Sequence, residues 1–148
     1  MIGIRRNESG TMTDFTVIGK FRNARNVRTL ITAIREKGKS CYDFTEKPAD
    51  PDNPNAPFED QMVTLEGHPD FLNDSVHRYH YERDLEGLRS ADTVILLLPA
   101  GTSAHIEAGI AFGLGKKLIL IGKPEKPETL YFIFDQFYDT VEEFLENV

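Results

Sequence analysis

The chain has 148 residues, 17 basic and 24 acidic, for a formal net charge of −7; 40% of it is hydrophobic, and it holds one cysteine and no tryptophan. That length suits one domain around one core, and a single cysteine excludes both an intramolecular disulfide framework and a cysteine-rich zinc site. The longest apolar run, Val94 to Leu98, is too short to span a membrane, and the acidic total argues against a nucleic-acid backbone as partner. The opening MIGIRRNESG has no apolar stretch of signal-peptide type, so the expected setting is the cytoplasm.

Residues 1–13 are polar and patternless and are expected to be a disordered extension, with a single domain over 14–148. Phe15 to Gly19 reads as a short buried strand. Val27, Leu30, Ile31 and Ile34 recur at helical spacing, and Gly38 ends that helix. Ser40 to Phe44 reads as a second strand. Residues 45–70 hold five of the eight prolines; such a segment is expected to be an irregular flap rather than a core element. Phe71 to Arg89 reads as a helix, with Leu72, Val76, Tyr79, Tyr81, Leu85 and Leu88 as its apolar stripe. Thr93 to Leu98 lacks alternation, as does Lys117 to Ile121, the pattern of strands covered on both faces. Between them lie a Pro99–Gly101 turn and a helix from about Ser103 to Leu114. A short helix over Thr129–Phe134, a strand over Phe137–Asp139 and a helix opened by the Thr140/Glu143 capping pair complete the chain.

Strands alternating with helices predict an α/β fold: a doubly wound sheet of about five mostly parallel strands with helices on both faces. In such sheets ligands bind beyond the carboxyl ends of the strands. That selects the Gly19–Arg25 loop, the Pro99–Glu107 turn and the Ile121–Lys126 loop. The first of these opens a basic stretch: seven basic residues against one acid from Lys20 to Lys39. A basic patch on an acidic protein concentrates small anions, although the same residues read equally as a solvated helix face.

Two carboxylates stand out. Glu107 lies near the start of the helix after the glycine turn, where the helix dipole is expected to keep it ionised and available as a nucleophile or cation stabiliser. The alternative is an ordinary glutamate of an early helical turn. Asp84 sits at the border of its helix's apolar stripe, where a carboxyl can be tuned, or else pairs with Arg83 or His80. Gly109 and Gly113, four apart, are expected to let their helix approach the sheet. Gly101, Thr102 and Ser103 can present backbone N–H and hydroxyl groups to an anion, but the G-x-x-x-x-G-K-[ST] phosphate loop is absent. His77, His80 and Asp84 lack a fourth partner for a metal site, and no G-x-S-x-G elbow accompanies Ser103. No metal or cofactor is expected, and Cys41 reads as a buried strand residue.

The stretch from Tyr81 to Gly122 resembles the nucleoside 2-deoxyribosyltransferase family and its relatives, the 2′-deoxynucleoside 5′-phosphate N-hydrolases. The shared features are a helical aspartate (Asp84), the pair Ala91-Asp92 before a hydrophobic strand, Gly101, the set Glu107-Ala108-Gly109 and the pair Gly115-Lys116. The resemblance implies a flavodoxin-like sheet and cleavage or transfer of an N-glycosidic bond. It makes Glu107 the nucleophile on C1′ and Asp84 the acid or sugar-positioning group. It maps substrate binding to Gly19, Lys20, Phe21, Arg22 and Asn23, with Arg22 matching a phosphate-binding arginine, alongside Gly101, Thr102, Ser103 and His105. It implies a small-molecule nucleoside or nucleotide as partner and a homodimer or higher homo-oligomer. Phe15 or Thr16 stands where members usually carry a first-strand tyrosine. Two other readings use the same pocket: a non-catalytic module binding a nucleotide or ADP-ribose-type ligand, and an NAD-cleaving enzyme.

Overall fold

The computed structural model describes residues 12–148; residues 1–11 of the expected disordered extension lie outside the described residues, and its last residue, Thr13, opens the first strand. The elements run β1 (Thr13–Ile18), α1 (Ala24–Glu36), β2 (Cys41–Tyr42), α2 (Phe58–Glu66), α3 (Ser75–Ser90), β3 (Ala91–Leu97), α4 (Thr102–Gly113), β4 (Lys117–Ile121), β5 (Gln136–Tyr138) and α5 (Val141–Leu145). The five strands form one sheet in the order β2-β1-β3-β4-β5. Every pairing is parallel, with Phe15 opposite Thr93 and Val94 opposite Leu118. This is the flavodoxin-like order, whose direction of winding reverses between β1 and β3.

The central strands end in unbroken apolar runs, Val17–Ile18, Val94–Leu97 and Leu118–Ile121, because both of their faces are covered there, and the pleat sends alternate residues to opposite sides. Val17, Ile95, Leu97, Ile119 and Ile121 pack with Val27, Leu30, Ile31 and Ile34 of α1 and Phe144 of α5. Ile18, Val94, Leu96, Leu118 and Leu120 pack with Leu88 of α3, Ala104, Ala108 and Ala111 of α4, and Phe134. Each fully buried aliphatic side chain contributes about 1.5–3 kcal/mol. α1 ends as expected, in a Schellman arrangement: Gly38 has φ +81°, its N–H donates to the Arg35 carbonyl at 2.9 Å and the Lys39 N–H to that of Ile34 at 3.4 Å. The α5 cap also forms, with the Glu143 N–H donating to Thr140 Oγ1 at 3.2 Å and the Asp139 N–H to Glu143 Oε2 at 3.2 Å. Residues Thr129–Ile133 form a 3-10 helix. Among the described residues no helix is long and apolar enough to cross a membrane.

Four expectations are corrected. The flap contains a helix, α2, because the window Phe58–Glu66 is free of proline, starts behind Pro57 and carries Glu59 and Asp60 in its first turn. The helix expected from Phe71 begins at Ser75: Asp74 caps it by accepting from the His77 N–H at 3.1 Å, and residues Phe71–Asn73 are a separate 3-10 turn. Its expected stripe is mostly not core, since Leu88 alone of the six is fully buried and Leu72 is 82% exposed. Gly109 and Gly113 do not face the sheet; a Cβ on either would meet nothing within 4 Å. The approach of α4 to the sheet is made by Ala104, Ala108 and Ala111 instead.

Candidate active site

Asp84 and Glu107 come together across the α3–α4 packing. α3 runs down to the start of β3 and α4, leaving the top of β3, runs down in the same direction to the start of β4, and the two helices flank one another on the same sheet face. Asp84 lies one turn before the buried Gly87 and Leu88 of α3. Glu107 lies three residues after buried Ala104 and four before Ala111 of α4. Each carboxylate therefore extends its helix's inward stripe, and both side chains are half-buried. Burial pushes the Asp84 carboxyl up to about 6. Burial, reinforced by the nearby Asp84 charge, pushes Glu107 up to about 9. Among the described residues no hydrogen-bond donor offsets either shift.

The expected ionisation of Glu107 by a helix start is thus corrected. Glu107 is the sixth residue of α4, in the second turn, and the dipole's effect fades within the first. Desolvation and the like charge dominate, and the two carboxyls titrate as a pair that holds one proton between its two steps. The β1 position on this face is Thr16, buried at 2% exposure. Phe15 points to the other face, its ring 6.0 Å from that of Phe144. Tyr42 also approaches Asp84: burial raises its phenol, and the Asp84 charge adds to the rise. Its hydroxyl donates to the Arg83 carbonyl at 3.3 Å, and its ring fills the notch left by Gly87, where a Cβ would lie 2.7 Å from the ring. Tyr42 therefore positions α3, a role that its place on a two-residue strand did not signal.

The loop after β1 divides its residues among three neighbours. Asn23 is buried and donates to the Pro99 carbonyl at 3.5 Å, joining this loop to the β3–α4 turn. The Phe21 ring lies 5.5 Å from that of His80 on α3 and 5.3 Å from Phe44. Gly19 sits against Val27, where an added Cβ would lie 3.1 Å from the Val27 side chain. Arg22 turns away from the turn and into the flap: it donates to both Glu59 oxygens at 2.8 and 3.3 Å and to Glu66 at 3.1 Å. Its guanidinium lowers the Glu59 carboxyl. The flap is also held by histidines. His77 joins Asp74 at 2.6 Å to the Leu65 carbonyl at 2.7 Å, and His80 donates to the Ala49 carbonyl at 2.7 Å. The histidine spacing that raised a metal reading ties α3 to the flap, and among the described residues no three potential ligands are grouped to hold a metal ion.

Gly101 precedes α4 without a side-chain cap, and Thr102 and Ser103 are exposed, so the first N–H groups of α4 face solvent. Beyond the ends of β3 and β4 opens a cleft of about 560 Å³ lined in part by Lys20, Pro99, His105 and Tyr131. His105 donates from Nδ1 to the Gly101 carbonyl at 2.8 Å and meets the Tyr131 hydroxyl through Nε2 at 2.9 Å. His105 and Glu107, two residues apart, leave α4 on opposite flanks. The lining of the cleft includes none of Gly101, Thr102 and Ser103 and neither carboxylate. Other parts of the matched stretch are architectural. Lys116 donates to the Arg89 carbonyl at 2.9 Å and ties the α4–β4 junction to the end of α3. Cys41 is buried and its thiol is pushed up to about 12, an inert core residue as expected.

No protein-family profile and no curated protein match this sequence. Solved structures do. The CMP N-glycosidase BcmB of Clostridium botulinum is similar with a TM-score of 0.52 at 18% identity, over 90% of this chain and 96% of that one. A 2-deoxyribosyltransferase of Bacillus psychrosaccharolyticus is similar with a TM-score of 0.61 at 14% identity, over 89% of this chain and 90% of that one. Over about nine tenths of its length this chain therefore has the flavodoxin-like α/β fold that it shares with a CMP N-glycosidase and a 2-deoxyribosyltransferase, the fold that the resemblance implied.

Proposed function

We propose that this protein cleaves or transfers the N-glycosidic bond of a nucleoside or nucleotide, with Glu107 as nucleophile and Asp84 as acid. The observation that carries the reading is the carboxylate pair itself: two acids meet on the inner side of packed helices, desolvated, with no donor among the described residues to compensate them. Such a pair is costly to the fold and useful to chemistry. A Glu107 oxygen attacks C1′ as the C1′–N bond breaks, and a glycosyl ester forms. The one proton of the pair, which the higher Glu107 value places on that carboxyl, moves from Glu107 to Asp84 and from Asp84 to the departing base as the ester forms. Water, or an N–H of a second base, then attacks C1′, gives its proton to Asp84 and releases Glu107 as the carboxylate, so the pair again holds one proton. A positive charge developing at C1′ is stabilised by whichever carboxylate is ionised.

The test is base release from a panel of nucleosides, nucleotides and NAD. Wild type is expected to release base, and Glu107→Gln to lose at least about 10³-fold in kcat/KM while staying folded. Turnover undiminished in that variant contradicts the assignment. Thr16 on the site-facing side of β1 favours a second reading, since it offers no phenolic donor. On that reading the site binds its ligand without cleaving it, and ligand-induced stabilisation without any released base or nicotinamide would select it. The protein is also proposed to self-associate through the outer face of α4, where Ile106 and Phe112 are 59% and 57% exposed and Gly109 and Gly113 leave open space beside them.

A further inference from the structure

One hydroxyl stands at the turn of α3 that carries Asp84. Tyr42 is opposite Thr16 in the β1–β2 ladder, and partnered residues of a parallel ladder project to the same face. Its ring therefore enters the α3 side of the sheet and lies against Gly87, where a Cβ would come within 2.7 Å of two ring carbons. The hydroxyl reaches one turn back along α3, to the Arg83 carbonyl at 3.3 Å. That carbonyl is bonded to the Asp84 nitrogen, and within α3 it is also the helical acceptor of the Gly87 N–H. The phenol thus makes a second bond to an acceptor already engaged, and at 3.3 Å it is longer than the about 2.7–2.8 Å of an ordinary O–H···O bond. A neutral acceptor at that length holds the hydroxyl weakly, whereas a bond to an ionised carboxylate is about twice as strong. The charges around the phenol are few. Burial raises it, the Arg83 guanidinium opposes the rise, and the Asp84 and Glu86 carboxylates add to it. Asp84 in turn faces Glu107 from α4 and Tyr42 from β2.

We propose that Tyr42 is the positioning residue that fixes where the single negative charge of the carboxylate pair sits: its hydroxyl leaves the Arg83 carbonyl and donates to Asp84 whenever Asp84 is ionised, so the shared proton rests on Glu107. The phenol keeps its own proton throughout; only the acceptor of its hydrogen bond changes. The consequence for turnover rests on the N-glycosidase reading and deepens it. After the shared proton has gone to the departing base, Asp84 stands as a carboxylate in a desolvated place, and the same hydroxyl meets it there. The ring sets the reach of that hydroxyl, because Gly87 leaves the room in which it lies.

Carboxyl NMR on the full chain, with aspartate and glutamate carbon-labelled, tests this without any substrate. Asp84→Asn and Glu107→Gln assign the two signals. In wild type the Asp84 signal is expected to follow a first step near about 6 and the Glu107 signal a second near about 9. Tyr42→Phe keeps the ring against Gly87 and removes the hydroxyl. It is expected to move the first step up by about one pH unit, the loss of one hydrogen bond to a charged group. The second step begins and ends with Asp84 ionised, so it is expected to stay. Replacing Tyr42 by 3-fluorotyrosine, a stronger donor of nearly the same shape, is expected to move the first step down, which a packing role alone would not do. A first step unmoved in Tyr42→Phe, or one that moves together with the second as loosened α3–α4 packing would move it, overturns the proposal. Base release measured alongside separates the two readings, since the acid limb of kcat/KM should follow the first step in each variant. A first step that responds to Tyr42 without any base release overturns the glycosidase and keeps Tyr42 as the positioning residue; base release with an unmoved first step does the reverse.

Discussion

Asp84 and Glu107 show what a residue's environment adds to its identity. Both were legible as candidates, Glu107 behind a glycine turn and Asp84 at the edge of a helical stripe. Their protonation was not, because burial arises where α3 meets α4 and neither helix alone specifies it. Two expectations follow from the raised carboxyls. Activity should be bell-shaped in pH, with limbs near about 6 and about 9. Below the lower limb both acids are protonated and none can attack; above the upper limb both are ionised and none can protonate the base. kcat/KM measured across that range checks it, and a profile flat from pH 5 to 10 would contradict it. Stability should carry the same signature. A folded carboxyl raised above its ordinary value of 4.5 contributes stability below about pH 4.5 that is lost as pH rises through the folded value. Glu107→Gln should therefore raise Tm most near pH 9, by about 2–4 °C for each kcal/mol recovered, with the gain vanishing near pH 4. Differential scanning calorimetry at the two pH values reads the difference directly.

Elements whose signals are local were legible, and those made by tertiary contacts were not. β3, α4 and β4 announced themselves through unbroken apolar runs, a turn and a closing glycine. α2 was hidden by the five prolines around it, and its position depends on polar side chains that no periodicity reveals. Gln61 is the clearest of these. Buried, it accepts from the Asp50 N–H at 2.9 Å and donates to the Pro54 and Ala56 carbonyls at 3.3 and 2.9 Å. It thus closes the proline-rich loop onto α2. Gln61→Ala would orphan three backbone groups, at about 1–3 kcal/mol for each that stays unsatisfied. Hydrogen exchange should then show faster exchange confined to residues 47–67, with β3 and β4 protected as before. Uniform loss of protection would mean that the flap is integral to the core rather than tied to it. Arg22 belongs to the same lesson: its sequence position suggested an anion ligand, and its geometry makes it a strut between the β1 loop and α2.

At the scale of the molecule, the alternation of strands and helices was enough to anticipate a doubly wound sheet, and the order 2-1-3-4-5 places the β1 and β3 ends beside one another at the reversal. What the alternation left open is where the chemistry sits within that frame: acids between α3 and α4. The outer α4 face is a further consequence of the whole assembly, since the expected sheet-facing glycines turn outward. Light scattering on the eluting protein should give a mass above that of one 16.8 kDa chain, and Ile106→Asp with Phe112→Asp should return it to the monomer; a wild-type monomer would reject the interface. The central claim, however, is the bond that Glu107 forms. Acid quenching during turnover, followed by peptide mass mapping, should find the substrate's sugar esterified to Glu107 in wild type and nowhere in Glu107→Gln; base release that continues in the variant with no sugar on Glu107 in wild type would contradict the account.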